Sequence, residues 1–320
     1  MDIRDAIKAN NTAIEAIDLV KDYGSGSNAV HALRDVNIAF EQGKFTVIMG
    51  PSGSGKSTLM HTLAGLDSAT SGHVMFDGKD LTRMNDDQLT LLRRHQIGFI
   101  FQSFNLLPMF TAEQNILMPL TLAGAKPDRQ WLRLLVETLG LKERLDHRPN
   151  ELSGGQQQRV AIARALAVKP EFIVCDEPIS ALDVSIQAQI LNLLKQLQKD
   201  LGLTYIFITH DLSVVKYFSD DIAVMYMGTM VEKAPANLLF KNPLHPYTKA
   251  LLSAIPLPIV GKDKPKRQVI KGEITAPINL PDACRFMKRC DCPVAGVCDK
   301  GNPVLREVEP QHFVACSCVK

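Results

Sequence analysis

The segment 50–57 constrains this chain more than any other, because its letters GPSGSGKS fit the pattern G-x-x-x-x-G-K-[ST] in full. The apolar run Phe45–Met49 precedes it, and a helical pattern opens at Lys56. This order predicts a strand, a glycine-rich loop and a helix. Small residues let backbone N–H groups surround a phosphate, and the helix dipole favours the phosphate charge. Because pattern and context agree, a phosphate site is a far better interpretation than a chance glycine-rich turn.

The residues of this loop have expected roles. The Lys56 ammonium would neutralise the β- and γ-phosphates of a nucleotide, and the Ser57 hydroxyl would ligate Mg²⁺. The residues predicted to bind the phosphates are Gly50, Ser52, Gly53, Gly55, Lys56, Ser57 and Thr58.

A second apolar run, residues 172–175, ends in the adjacent carboxylates of Asp176 and Glu177. Ligands of open parallel sheets bind at the C-terminal ends of the strands. Asp176 therefore suits an outer role on Mg²⁺, and Glu177 is placed to polarise a water for attack on the γ-phosphate. An apolar strand that ends in Asp-Glu is often only a turn, so this signal depends on the phosphate loop.

The third signal is the segment 152–156, LSGGQ, which opens a strong helix former. Ser153 is a good N-cap, and Gly154 and Gly155 leave backbone N–H groups bare for an anion. An ordinary capped helix is the alternative interpretation. A second phosphate-binding site in one chain is expected if it binds a nucleotide that is held by another subunit.

Strands and helices alternate along the chain. Strands are predicted at residues 15–23, 33–40, 45–49, 97–101, 171–175 and 204–209, and helices at 131–145, 159–168 and 186–200. This alternation implies the α/β class, with a mostly parallel sheet that helices cover on both faces.

Bulk properties exclude several classes. Of the 320 residues, 46% are hydrophobic and 22% charged, as in folded soluble proteins. A net charge of +2 gives no preference for nucleic acid or anionic lipid. Residues 1–20 carry charges throughout and do not resemble a signal peptide. No apolar run approaches the roughly 18 residues of a membrane span, so we expect any membrane contact to go through a partner.

Cysteines cluster after a proline-rich linker that begins at Pro256. Of the seven cysteines, Cys175 stands alone in an apolar strand, and the others are Cys284, Cys290, Cys292, Cys298, Cys316 and Cys318. In a reducing compartment, clustered thiols favour a metal over disulfides. Four thiolates suit an iron–sulfur cluster or Zn²⁺. A small irregular tail with free thiols is the alternative.

Taken together, the three motifs resemble the ABC transporter ATPase family over roughly residues 14–250. The resemblance implies a P-loop NTPase ABC ATPase fold, with ATP and Mg²⁺ as cofactors. It divides the chain into an ATPase domain at 14–255, a helical subdomain at about 103–159 within it, and a C-terminal extension at 256–320.

The resemblance also assigns further site residues. Tyr23 would stack on adenine, Gln102 would sense Mg²⁺, and His210 would contact the γ-phosphate. Asp183 falls in the D-loop of the family. Mg²⁺ would be held by Ser57, Gln102 and Asp176, and the signature residues would be Ser153, Gly154, Gly155 and Gln156.

The family mechanism implies partners. Two ATPase subunits, identical or related, would meet head to tail. Each ATP would lie between the phosphate loop of one subunit, which the family calls the Walker A loop (residues 50–58), and the signature (residues 152–156) of the other. ATP closes this dimer, hydrolysis reopens it, and the movement is passed to transmembrane permease subunits. The chain would lie peripherally on the cytoplasmic face of the cell membrane. An extracytoplasmic substrate-binding protein would complete the system, and no nucleic acid is expected.

Two branches of the family are represented. Residues 49–55, 63–67 and 98–108 resemble the macrolide-export and lipoprotein-release branch. Residues 174–189 and 242–248, with the cysteine tail, resemble oligopeptide and dipeptide importers. Peptide import is favoured because the tail is the rarer feature. An export or lipoprotein-release system and a soluble non-transport ABC ATPase are the alternatives.

The cysteine tail resembles a [4Fe–4S] site of the peptide-importer branch. The expected ligands are Cys284, Cys290 or Cys292, Cys298 and Cys316, and Zn²⁺ is the alternative metal. The spacing departs from the family pattern at Cys290 and Cys292, so either of these two could be the second ligand.

Overall fold

The computed structural model describes residues 11–26, 29–255, 270 and 281–319. Its strands are β1 (Thr12–Tyr23), β2 (Val30–Glu41), β3 (Phe45–Met49), β4 (Ser71–Phe76), β5 (Lys79–Asp80), β6 (Ile97–Phe101), β7 (Phe172–Asp176), β8 (Thr204–Ile208), β9 (Asp221–Tyr226), β10 (Thr229–Pro235), β11 (Arg306–Glu309) and β12 (His312–Val314). Its α-helices are α1 (Lys56–Leu63), α2 (Asp86–Gln96), α3 (Ala112–Leu122), α4 (Arg129–Thr138), α5 (Gly154–Leu166), α6 (Val184–Leu201), α7 (Leu212–Phe218), α8 (Ala236–Lys241) and α9 (Pro246–Ser253).

The chain divides into two compact units. The first unit comprises the residues up to Glu41, Thr46–Thr82 and those from His210 onward, and the second comprises Gln42–Phe45 and Arg83–Thr209. Within the described residues, no helix is both long and apolar enough to cross a membrane.

The first unit contains two sets of paired strands. An antiparallel sheet has the order β2-β1-β4-β5. In the other set, β9 pairs parallel with β3 and antiparallel with β10. Strand β12 then continues antiparallel from β10, and β11 pairs antiparallel with β12.

The second unit contains the parallel strands β6, β7 and β8, with β7 in the middle. Strands β3 and β8 are buried along their whole length, and β7 is buried except at its last residue. Continuous apolar runs of this kind are typical of strands that are covered on both faces. The predicted class, α/β with a mixed sheet of mostly parallel strands, is confirmed.

Two helix boundaries differ from the prediction, for local reasons. The helix predicted at 131–145 ends at Thr138, because Gly140 adopts a φ of 64° and Leu141 N–H donates to Val136 O. The helix predicted over 159–168 extends back to Gly154, where Ser153 is the predicted N-cap.

The predicted linker at 256–280 lies outside the described residues, apart from residue 270. The described part of the extension joins the first unit, where Glu232 pairs with Val314 and Ala315 N–H donates to Val231 O. Packing groups the residues differently from the predicted boundaries at 14–255, 103–159 and 256–320, and these boundaries stay a prediction.

Candidate nucleotide-binding site

The phosphate loop of the first unit lies between β3 and α1, as its pattern predicts. Gly55 caps α1 with a φ of 98°, and Leu59 N–H donates to Gly55 O at 2.8 Å. A Cβ at Gly55 would come within 2.5 Å of the Ala32 carbonyl O. A Cβ at Gly50 would meet the Met225 carbonyl O still more closely. Backbone packs against backbone here, so only glycine fits at both positions.

Lys56 curls back over this loop. The side chain is buried, and Nζ donates to Gly50 O at 2.9 Å and Pro51 O at 2.8 Å. Ser52 and Gly53 of the loop are exposed, and so is Ser57 in the first turn of α1. The arrangement fits a nucleotide phosphate, because the glycines leave room for it and Lys56 provides a cation beside the loop.

Tyr23 lies close to the helix that follows this loop. Its hydroxyl donates to Asp67 Oδ2 at 2.5 Å, and Lys21 Nζ donates to Asp67 Oδ1 at 2.6 Å. Burial and, after it, the hydrogen bond to Asp67 raise the pKa of the Tyr23 hydroxyl, while a hydrogen bond with Thr58 lowers it. The ring is 42% exposed, as a stacking platform requires. The sequence offered no signal for Asp67 as the partner that orients this ring.

His210, the last predicted site residue of the first unit, is exposed just before α7.

In the second unit, Gln102, Asp176 and Glu177 lie at one edge of the parallel strands. Phe101 is the register partner of Asp176, so Gln102 leaves the sheet at the edge where both carboxylates stand. Gln102 is exposed, and both carboxylates are half-buried. The two carboxylates were expected at a strand end, and the structure places Gln102 at the same edge. The catalytic roles of the three residues stay a prediction.

Glu177 has a backbone conformation that its position in the sequence did not predict. Its φ is 46°, in the left-handed region that non-glycine residues rarely occupy. The N–H of Glu177 donates to Ile208 O at 3.1 Å, and its carbonyl O accepts from Ser180 Oγ at 2.9 Å. Such strain is concentrated at functional sites, where the surrounding structure holds it.

The signature segment starts α5 with a capping box. Ser153 Oγ accepts from Gln156 N–H at 3.3 Å, and Gln156 Oε1 accepts from Ser153 N–H at 2.9 Å. Gly154 and Gly155 form the first turn of the helix. Asp183, exposed, is the N-cap residue of α6.

The cysteines of the extension approach one another without forming a metal site. The Sγ atoms of Cys290 and Cys292 lie 3.6 Å apart, and those of Cys298 and Cys318 lie 3.9 Å apart. Burial raises the pKa of the Cys290 thiol to about 12. Among the described residues, no group of three or more His, Cys, Asp or Glu side chains is placed to hold a metal ion. The expected [4Fe–4S] or Zn²⁺ site at Cys284, Cys290 or Cys292, Cys298 and Cys316 is therefore unsupported.

Comparison with known proteins places this site in a family. The family model described as "ABC transporter" matches residues 33–180. The putative oligopeptide transport ATP-binding protein YkfD of Bacillus subtilis (strain 168) is 44% identical over 312 residues, which cover 95% of this chain and 94% of that protein. The chain belongs to the ATP-binding subunits of ABC transporters.

Other matches extend the likeness of this ABC ATPase along the chain. Residues 231–298 match the model described as "Oligopeptide/dipeptide transporter, C-terminal region". The oligopeptide transport ATP-binding protein OppF of Escherichia coli (strain K12) is 45% identical over 89% of this chain and 87% of that protein. A solved dimeric structure of the ATP-binding cassette MJ0796 bound to ADP and Pi is 39% identical, with a TM-score of 0.64, over 70% of this chain and 98% of that one.

These findings confirm the predicted family, fold and enzyme class. The chain is an ATP-hydrolysing subunit of the ABC type, with ATP and Mg²⁺ as its cofactors. YkfD and OppF align over both halves of the chain, so the likeness to oligopeptide transport proteins is not restricted to the C-terminal half.

Proposed function

We propose that this chain hydrolyses ATP to drive the import of oligopeptides or dipeptides through a membrane permease. One observation carries the proposal. YkfD, named as a putative oligopeptide transport ATP-binding protein, and OppF, named as an oligopeptide transport ATP-binding protein, align with 95% and 89% of the chain. Residues 231–298 also match the model of the C-terminal region of oligopeptide/dipeptide transporters.

The packing of that region supports the proposal. Glu232 of β10 is fully buried, and its carboxylate accepts from Leu244 N–H at 2.8 Å and His245 N–H at 2.9 Å. The same carboxylate contacts His312 Nε2 of β12 at 2.7 Å. Burial lowers the pKa of His245 to about 4, so this imidazole is neutral at pH 7. One carboxylate thus joins the segment 242–248 and the tail, which are two of the features that resemble peptide importers.

The catalytic roles follow the chemistry of the site. Glu177 polarises the attacking water, and Ser57, Gln102 and Asp176 hold Mg²⁺. Lys56 neutralises the β- and γ-phosphates, and His210 contacts the γ-phosphate. Tyr23 stacks on adenine. The signature residues, with Asp183, act on the nucleotide of a second, identical or related ATPase subunit.

A cavity in the second unit supports a permease partner. It has a volume of about 540 Å³ and lies between α3 and α4. Its wall combines apolar residues, such as Leu132 and Val136, with charged residues, such as Arg129 and Glu137. Met109, at 80% exposure, lies in the loop before α3. A mixed surface of this kind suits a short amphipathic permease helix. The chain would act peripherally at the cytoplasmic face of the membrane, with an extracytoplasmic protein that delivers peptide to the permease.

The direct test is peptide uptake into proteoliposomes that contain this chain and the permease recovered with it from gently solubilised membranes. Glu177→Gln is expected to retain ATP binding and lower turnover and uptake by about 100-fold or more. Glu171→Gln, an exposed carboxylate just before the same strand, is the matched control and is expected to behave as wild type. Recovery of an export-type permease with four spans and a large external domain would overturn peptide import. Ordinary turnover in Glu177→Gln would overturn the role of Glu177.

A further inference from the structure

The segment after Gln102 has an uncommon backbone. Phe104 and Asn105 are consecutive non-glycine residues with φ values of 57° and 50°. The left-handed region is unfavourable for such residues, and two in succession need support from their surroundings. This segment directly follows a proposed Mg²⁺ ligand, so what supports it bears on the site.

Arg164 of α5 provides that support. Its Nη1 donates to Asn105 O at 2.6 Å, and its Nη2 donates to Phe104 O at 2.7 Å. The side chain is 8% exposed, and burial lowers the pKa of the guanidinium. Among the described residues, both of its hydrogen bonds go to these carbonyls and no carboxylate pairs with it. A desolvated cation is unfavourable unless it is hydrogen-bonded, so the two carbonyls and the guanidinium hold each other in place.

The same segment also lies beside the start of α5. A Cβ added at Gly154 would lie 4.0 Å from Phe104 Cζ, so the Phe104 ring is a neighbour of the signature. Phe104 thus lies next to the first turn of α5 with its ring and bonds to Arg164, farther along this helix, through its carbonyl.

Asn115 of α3 fixes the rest of the segment. This side chain is fully buried, and Oδ1 accepts from Leu107 N–H at 2.8 Å. Nδ2 contacts Leu107 O at 3.2 Å, Phe110 O at 3.3 Å and Thr111 O at 3.0 Å. The hydrogen bonds of the Asn115 side chain thus hold the backbone of the loop that carries the exposed Met109.

We propose that Arg164 is a positioning residue that makes the Gln102 segment and the signature helix move as one body. A displacement of Gln102 would move the carbonyls of Phe104 and Asn105, and through their hydrogen bonds to the guanidinium α5 would follow. The inference rests on the proposed function of the site, ATP hydrolysis coupled to a permease. It adds a physical link within this subunit. A change at the nucleotide bound near Gln102 would alter the position of the signature helix, which contacts the nucleotide of the second subunit.

The test is hydrogen exchange of the full chain, measured by mass spectrometry with and without a non-hydrolysable ATP analogue and Mg²⁺. In the wild type, the analogue is expected to change protection of residues 102–111 and of residues 153–164 together. In Arg164→Met, residues 102–111 are expected to respond while residues 153–164 do not. Arg164→Lys keeps the positive charge but lacks the two parallel N–H donors of the guanidinium, so residues 153–164 of this variant are expected to show a partial change in protection. Joint protection changes in both Arg164 variants would overturn the proposal.

Enzyme kinetics separate positioning from mere stability. Arg164→Met is expected to lower kcat by about tenfold per nucleotide-binding site, with KM for ATP nearly unchanged, at a temperature well below unfolding. Asn105→Gly added to Arg164→Met is expected not to restore kcat, because glycine relieves the left-handed strain at this position but does not replace the hydrogen bonds to α5. If Arg164→Met had the same kcat per folded site as the wild type, Arg164 would contribute only to stability, and its positioning role would be wrong. Absence of ATP hydrolysis in the wild type would instead overturn the proposed function and leave the exchange result standing.

Discussion

The two glycine-rich loops of this chain depend on glycine for different reasons. In the Walker A loop, Gly55 has a φ of 98° and faces the Ala32 backbone carbonyl. In the signature, Gly155 lies in the first turn of a helix, and an added Cβ would come within 2.9 Å of Ile186 Cγ2, a side-chain atom. In the Walker A loop, a side chain would clash with backbone atoms, which a mutation cannot remove. In the signature, it would clash with a neighbouring side chain, which a mutation can shorten.

This difference fits the proposed division of labour. A loop built from backbone on both sides holds its geometry whether or not a nucleotide is present. A helix start that side chains support can adjust as another subunit approaches and withdraws. Under that proposal, glycine would serve a phosphate site of fixed geometry in the first unit and one of adjustable geometry in the second.

Gly55→Ala is expected to have the largest effect of the substitutions that test this contrast. The left-handed conformation alone costs about 1–3 kcal/mol for a non-glycine residue, and the Ala32 carbonyl leaves no room for relaxation. We expect ATP affinity to fall by about 100-fold, together with a lower Tm, as measured by nucleotide titration and thermal unfolding. A wild-type affinity for ATP in this variant would show that the loop can adopt another conformation that still binds ATP. The proposed difference between the two glycine-rich loops would then be wrong.

Gly155→Ala is expected to leave ATP binding at the Walker A loop intact and to lower turnover by about tenfold, because the new methyl group displaces Ile186. Ile186→Ala removes the obstructing methyl and is expected to restore turnover in the double variant. A double-mutant cycle on kcat measures this coupling. Additive effects of the two changes would mean that Gly155 acts for another reason, such as direct contact with a nucleotide.

The sequence predicted what is local in both loops. Strand β3, the helix start at Lys56 and the Ser153 cap each follow from residues that are neighbours in the chain. Gln102 was correctly expected to follow a strand, whereas Asp176 is itself the last residue of β7. Parallel register brings both residues to one edge.

The partners that constrain these loops could not be predicted, because they come from distant parts of the chain. Nothing near Gly155 in the sequence indicates Ile186, and nothing near Asn105 indicates Arg164. Burial of Glu232 against His312 is likewise a long-range pairing of two polar residues that sequence patterns assign to the surface. The expected metal site at the cysteines is unsupported for a related reason, since spacing in the chain does not determine how the thiols are placed relative to one another.

Gly53→Ala sharpens the contrast within the Walker A loop itself. Gly53 has a φ of 75°, and nothing lies within 4 Å of an added Cβ. Only the backbone penalty of about 1–2 kcal/mol remains, so ATP affinity is expected to fall by less than in Gly55→Ala. Gly53→Asn should lose less still, because asparagine tolerates the left-handed region better than alanine. The same nucleotide titration ranks the three variants, and equal losses in Gly53→Ala and Gly55→Ala would remove the role assigned to Ala32.

Ser153→Ala is expected to have the smallest effect, because it removes a cap and leaves the glycines in place. The variant loses the hydrogen bond from Gln156 N–H, which costs about 1 kcal/mol at a helix N-terminus. Thermal unfolding should show a modest decrease in Tm, with ATP affinity at the Walker A loop unchanged. Ser153→Thr keeps the capping hydroxyl and is the matched control. Ser153→Ala could instead cause a large loss of kcat with only a small decrease in Tm, while Ser153→Thr keeps the wild-type kcat. The hydroxyl would then contact nucleotide as well as cap the helix. In that case the signature would be more similar to the Walker A loop than the comparison of their glycines indicates.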